Sequence, residues 1–106
     1  MIIRGTTPTE SFTIPQEYPV DLANCTQIWA TITDSSGKDY VFEKDRMTVD
    51  ADAGTIAFDL TQEDTLKFAV GAAKVQLRFL YNNGKAFASY PMRTRVLNVR
   101  KDGKIE

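Results

Sequence analysis

Apolar residues recur at every second position through most of the chain, and no stretch sustains the three-to-four spacing of an amphipathic helix. That period predicts strands with one face buried. Thr9 to Pro15 places Phe12 and Ile14 on one side, with Pro15 closing the run. Thr26 to Asp34 turns Ile28, Ala30 and Ile32 inward and Trp29, Thr31 and Thr33 the other way. Asp39 to Glu43 follows with Tyr40, Val41 and Phe42, then a short Met47 to Val49 segment, then Thr55 to Leu60 with Ile56, Phe58 and Leu60 aligned. Lys74 to Tyr81 repeats the pattern with Val75, Leu77 and Phe79. Lys85 to Ser89 answers it, and Arg93 to Val99 completes the set.

Turn chemistry separates these runs. Ser35-Ser36-Gly37-Lys38 and Asn82-Asn83-Gly84 are hairpin signals, because glycine and asparagine accept the positive φ that tight turns need. Asp50-Ala51-Asp52-Ala53-Gly54 is a turn by composition. Pro91 interrupts the last ladder, which suits an edge strand or a bulge. One helical turn is expected after Thr61, a good N-cap followed by Glu63 and Asp64, and closing near Gly71. It should bring Leu66 and Phe68 onto the end of the core. The tail from Arg100 is polar.

Six to eight short strands with turns about every ten residues argue for an all-β fold, an antiparallel immunoglobulin-like β-sandwich with one short helical turn. A small barrel is the alternative. The Cys…Trp…Cys spacing of antibody domains is missing, so the likeness is one of architecture. With 106 residues, 42% of them hydrophobic and 25% charged, and no internal repeat or linker, residues 1–106 are expected to form a single β-sandwich domain.

Composition narrows the chemistry. There is no histidine, which removes serine–histidine and cysteine–histidine catalysis and the common zinc sites. Cys25 is the lone cysteine, so it forms no internal bridge and is expected to be a structural thiol. The glycines are scattered at turns rather than gathered in a phosphate loop. Counted from Asp50 as an EF-hand loop, position 5 is Gly54, position 6 is Thr55 and position 12 is Thr61, so the calcium pattern fails. No catalytic residue, cofactor or metal ligand is expected. An acid-pair hydrolase would need two of Asp39, Glu43, Asp50, Asp52 and Asp59 in one cleft.

Charge is unevenly spread. Residues 1–70 carry five basic and twelve acidic groups, a net of −7, and residues 71–106 carry eight basic and two acidic, a net of +6. Strands of the two halves lying side by side would let these charges pair across a sheet. The split is also compatible with a homo-oligomer closed head to tail. Arg93 and Arg95 share a face of the last strand, but the slightly acidic chain does not suggest nucleic acid. Trp29 is central or exposed depending on whether both faces of its strand are covered. If exposed, it would form a partner-binding patch with Tyr40 or Tyr90, and Arg93 and Arg95 are the charged candidates beside them. No apolar run is long enough to span a membrane, and the opening residues lack the pattern of a secretory signal, so synthesis in a cytoplasm is expected.

Three stretches carry a resemblance: Ile3-Arg4-Gly5-Thr6-Thr7-Pro8 running into Phe12-Thr13-Ile14-Pro15; Leu60-Thr61-Gln62-Glu63-Asp64-Thr65-Leu66-Lys67-Phe68 with Gly71 and Val75-Gln76-Leu77-Arg78; and Asn83-Gly84-Lys85-Ala86 with Ala88-Ser89, Val96-Leu97-Asn98-Val99 and Lys101-Asp102-Gly103. Together they resemble small proteins encoded in the structural-gene regions of tailed phages and prophages of Gram-positive bacteria. The pattern is similar to the N-terminal domain of phage baseplate upper proteins. The resemblance implies a non-enzymatic virion or assembly protein, a tail or baseplate component, made in the bacterial host cytoplasm and then carried in the virion. Its partners would be other phage structural proteins. No functional residues transfer, because the shared positions are turns and core. A small carbohydrate- or surface-binding module using exposed aromatics is the alternative.

Overall fold

The computed structural model describes residues 1–14, 21–100 and 105. Nine strands and one short helix follow in the order β1 (Ile2–Ile3), β2 (Thr9–Thr13), β3 (Cys25–Thr33), β4 (Asp39–Glu43), β5 (Met47–Asp50), β6 (Thr55–Asp59), α1 (Gln62–Lys67), β7 (Gly71–Tyr81), β8 (Ala86–Ala88) and β9 (Met92–Leu97) among the described residues. The larger sheet runs β1-β9-β7-β3-β4, with β8 also paired to β7, and the smaller runs β2-β6-β5. Two packed sheets make the expected all-β sandwich. It differs in one respect: β1 pairs β9 in parallel, making the larger sheet mixed. β1 spans two residues, too few to show a period. Pro15 and most of the polar tail lie outside the described residues.

The core is the set that alternation picks out. Ile28, Ala30 and Ile32 of β3, Leu77 of β7 and Ile56 of β6 are wholly buried, and Val75, Phe79, Phe58 and Leu60 nearly so. Truncating a buried Ile or Leu of this kind costs about 2–5 kcal/mol. Phe42 stacks on Phe58 at 5.3 Å between ring centroids, joining the two sheets at their β4 and β6 strands. Cys25 is buried, its thiol pushed up by burial ahead of the opposing influence of nearby Lys44.

α1 is held by a reciprocal cap. The Thr61 hydroxyl accepts from the Asp64 backbone N–H at 3.1 Å, and the Asp64 carboxylate accepts from the Thr61 N–H at 2.9 Å. Phe68, just past the helix, is 2% exposed, while Leu66 is only half-buried. Thr65 is fully buried; its hydroxyl donates to the Thr6 carbonyl and accepts from the Gly5 N–H, each at 2.9 Å. Arg4 donates to the Leu66 carbonyl at 2.9 Å and to the Asn98 side chain at 3.2 Å. Pieces of all three resembling stretches therefore meet around α1.

Candidate protein-contact face

The strands of the larger sheet turn alternate side chains toward the core, which commits the residues between them to the opposite face. β3 presents Trp29, Thr31 and Thr33 there, β4 presents Asp39, Val41 and Glu43, and β7 presents Lys74, Gln76, Arg78 and Leu80. Arg93 and Arg95 of β9 lie opposite Lys74 and Ala72, and Ala86 and Ala88 of β8 lie opposite Leu80 and Arg78. Register sets these into rows: Glu43, Trp29 and Arg78 in one, Val41, Thr31 and Gln76 in the next, Asp39, Thr33 and Lys74 in the third.

Trp29 is half-buried, and Val41, one row along on β4 opposite Thr31, is 58% exposed. With Thr31, Arg78, Leu80 and Ala86 they line a shallow open hollow of about 380 Å³. An apolar centre with charged surroundings is the usual composition of a protein contact patch. The charged residues of the two halves do share this sheet, yet among the described residues no ion pair joins β4 to β7 or β9. Neutral β3 stands between acidic β4 and basic β7. The ion pair between Arg46 and Asp64, at 2.7 Å, joins two residues of the acidic half instead.

The five sequence-predicted residues separate into three places. Trp29, Arg93 and Arg95 are on this face. Tyr40 points the other way, opposite Ile32, with its ring edge-on to Phe68 at 4.9 Å and its hydroxyl donating to the Lys67 carbonyl at 2.9 Å. Burial, followed by the nearby Asp34 carboxylate, pushes the Tyr40 phenol up. Tyr90, 79% exposed, stands beside Pro91 and lines a second, smaller groove of about 190 Å³ with Phe12, Ile14, Leu77 and Met92. Glu43, Val41, Arg78 and Leu80 are not among the partner-binding residues expected from the sequence. Counting by two from Asp39 and from Lys74 finds them, but only the strand order puts them beside Trp29.

The carboxylates that an acid-pair hydrolase would need are dispersed. Asp39 and Glu43 sit on β4, whereas Asp50 and Asp59 belong to the smaller sheet and Asp52 to an exposed turn. Asp50 caps its own turn, its carboxylate accepting from the Ala53 N–H at 3.1 Å. Among the described residues no three Asp, Glu or Cys side chains converge as metal ligands, and no helix is long and apolar enough to cross a membrane. No protein-family model, curated protein or solved structure matches the chain.

Proposed function

We propose that the protein is a non-enzymatic structural or assembly component of a tailed phage or prophage, belonging to the tail or baseplate, that works by packing against other phage proteins. The observation that carries the contact role is the outer face of the larger sheet, where half-buried Trp29 and exposed Val41 lie beside Arg78 and Glu43. The phage context comes from the resemblance of the three stretches that meet around α1. Such a protein would be made in the host cytoplasm and then carried in the virion. Mass spectrometry of purified particles released from the source bacterium tests it. A fixed copy ratio to the tail proteins is the expected result for a virion component. Presence in induced cells but absence from clean particles makes it an assembly factor, and absence from both overturns the phage assignment.

A second reading has its own observation. A tryptophan beside a hollow with polar Thr31 and Arg78 is also a composition that can seat a sugar ring. Titration of a broad glycan panel, followed by Trp29 fluorescence, separates the two. A flat response removes the carbohydrate reading, and a saturable one replaces the protein-contact reading.

A further inference from the structure

The outer face of the larger sheet is divided by charge from one side to the other. β4 contributes Asp39 and Glu43, β3 contributes neutral residues, and β7 and β9 contribute Lys74, Arg78, Arg93 and Arg95. Adjacent strands are about 4.8 Å apart, so acid and base in one row are separated by roughly 10 Å with a β3 side chain between them. Among the described residues no ion pair joins an acid of β4 to a base of β7. Both halves of each pair are left facing outward.

Two symmetry operations can lay this face on a copy of itself. A two-fold axis across the strands sets β4 on β4 and β7 on β7, which opposes acid to acid and base to base. A two-fold axis along β3 exchanges β4 with β7 and carries each row onto itself. Glu43 then meets Arg78 of the second copy, Asp39 meets Lys74, and Val41 meets Gln76. Trp29 and Thr31 fall on the axis against their own counterparts. Sheets packed face to face keep their strands within about 30° of each other, so this row-on-row match survives ordinary twist.

We propose that this face binds a second copy of the chain as an isologous dimer, with its two-fold along β3, Trp29 at the centre and Glu43–Arg78 and Asp39–Lys74 pairs on either side. Charge selects the orientation, and the apolar centre supplies the affinity. Closed two-fold contacts bury the same patch on both subunits, so no copy of the face is left open. The proposal rests on reading this face as a protein-contact surface but not on the phage assignment. Failure of the latter is read on particles and failure of the dimer on purified protein.

Sedimentation equilibrium of the full chain from micromolar to millimolar concentration is the test, with circular dichroism melts reporting that each variant folds. The wild type should dimerise, more tightly at low salt than at high salt. Glu43→Arg and Arg78→Glu should each weaken the dimer about tenfold or more, because each places like charges in contact. An equimolar mixture of the two variants should dimerise again, since one then carries two basic groups at these positions and the other two acidic ones. A chain carrying both substitutions should dimerise by itself. A wild type that stays monomeric overturns the proposal. So do single variants that dimerise like the wild type, or folded variants that fail to recover on mixing.

Discussion

Two hairpins of the larger sheet share one backbone design and differ in what anchors them. In the β3–β4 hairpin the Asp34 N–H donates to the Lys38 carbonyl and the Gly37 N–H to the Asp34 carbonyl, each at 3.0 Å. In the β7–β8 hairpin the Tyr81 N–H donates to the Lys85 carbonyl at 2.9 Å and the Gly84 N–H to the Tyr81 carbonyl at 3.1 Å. Gly37 and Gly84 hold φ of 85° and 86°. The local sequences, two small polar residues followed by Gly-Lys, make the same turn twice.

The anchoring differs. Asp34 is 5% exposed, and its carboxylate accepts from the Ser36 hydroxyl at 2.6 Å and from the backbone N–H groups of Ser36 at 3.0 Å, Lys38 at 3.3 Å and Ala69 at 3.0 Å. The last of these ties the hairpin to the segment leaving α1. Ser35 adds a bond from its hydroxyl to the Val70 carbonyl at 2.7 Å. At the other hairpin the corresponding Lys85 N–H is capped by Asn83 instead, at 3.0 Å, on an exposed turn. One carboxylate thus converts a local turn into a tertiary joint. The same turn without it is joined chiefly to its own strands, with added support from the Asn82 N–H donating to the Asn24 carbonyl at 3.1 Å.

The sharpest way to break this contrast is Asp34→Ala, which should destabilise the protein by about 2–4 kcal/mol, measured by urea unfolding, because several bonds to a buried charge are lost together. An effect no larger than that of Asn83→Ala would mean the two turns are equivalent. The same carboxylate predicts a pH signature. Burial opposes its ionisation, but the Ser36 hydroxyl and the backbone donors of Ala69, Lys38 and Ser36 outweigh it and bring the pKa from 3.8 to about 2. The folded pKa is the lower one, so the stabilisation is present above the unfolded value and is lost as pH falls from about 4 toward 2. Urea midpoints measured across that window should fall in the wild type and flatten in Asp34→Asn.

Next in size is Gly71→Ala, expected to cost about 1–3 kcal/mol from overpacking together with backbone strain. Gly71 has φ of 130°, and an added Cβ would lie 3.0 Å from the Ser35 Cβ, inside the anchored hairpin's contact with β7. Pairing Gly71→Ala with Ser35→Gly should recover the steric part. Gly37→Ala and Gly84→Ala should each cost about 1 kcal/mol and should match, since both force a side chain into the left-handed region. Neither would meet an atom within 4 Å. Unequal values would show that anchoring reaches into the turn itself. Asn83→Ala should be smallest, about 0.5 kcal/mol, because an exposed turn bond is readily replaced by water.

Every strand but the two-residue β1, both hairpin turns and the Thr61 cap are legible in the chain because each depends on neighbours a few residues away. Period two separates Ile28, Ala30 and Ile32 from Trp29 and Thr31 without any knowledge of the fold, and glycine marks the positive φ. Asp34 was not legible as an anchor. At the end of a strand beside Ser-Ser-Gly it reads as an ordinary turn residue, and its bond to Ala69 spans 35 positions. The candidate face was half legible. Trp29, Arg93 and Arg95 do lie on that face, whereas the pairing of Ile32 with Tyr40 turns Tyr40 toward the core, away from Trp29.

Local matters were thus written in the order of residues: which of them form strands, which face each strand buries, and where the chain can turn. Long-range packing settled the rest, namely that β3 lies between β4 and β7, that β1 joins β9 in parallel, and that acidic β4 and basic β7 share one face with neutral β3 between them. Alternation constrains side chains along a strand. The order of strands in a sheet instead follows from packing two apolar faces together, a contest among distant segments that no short stretch encodes.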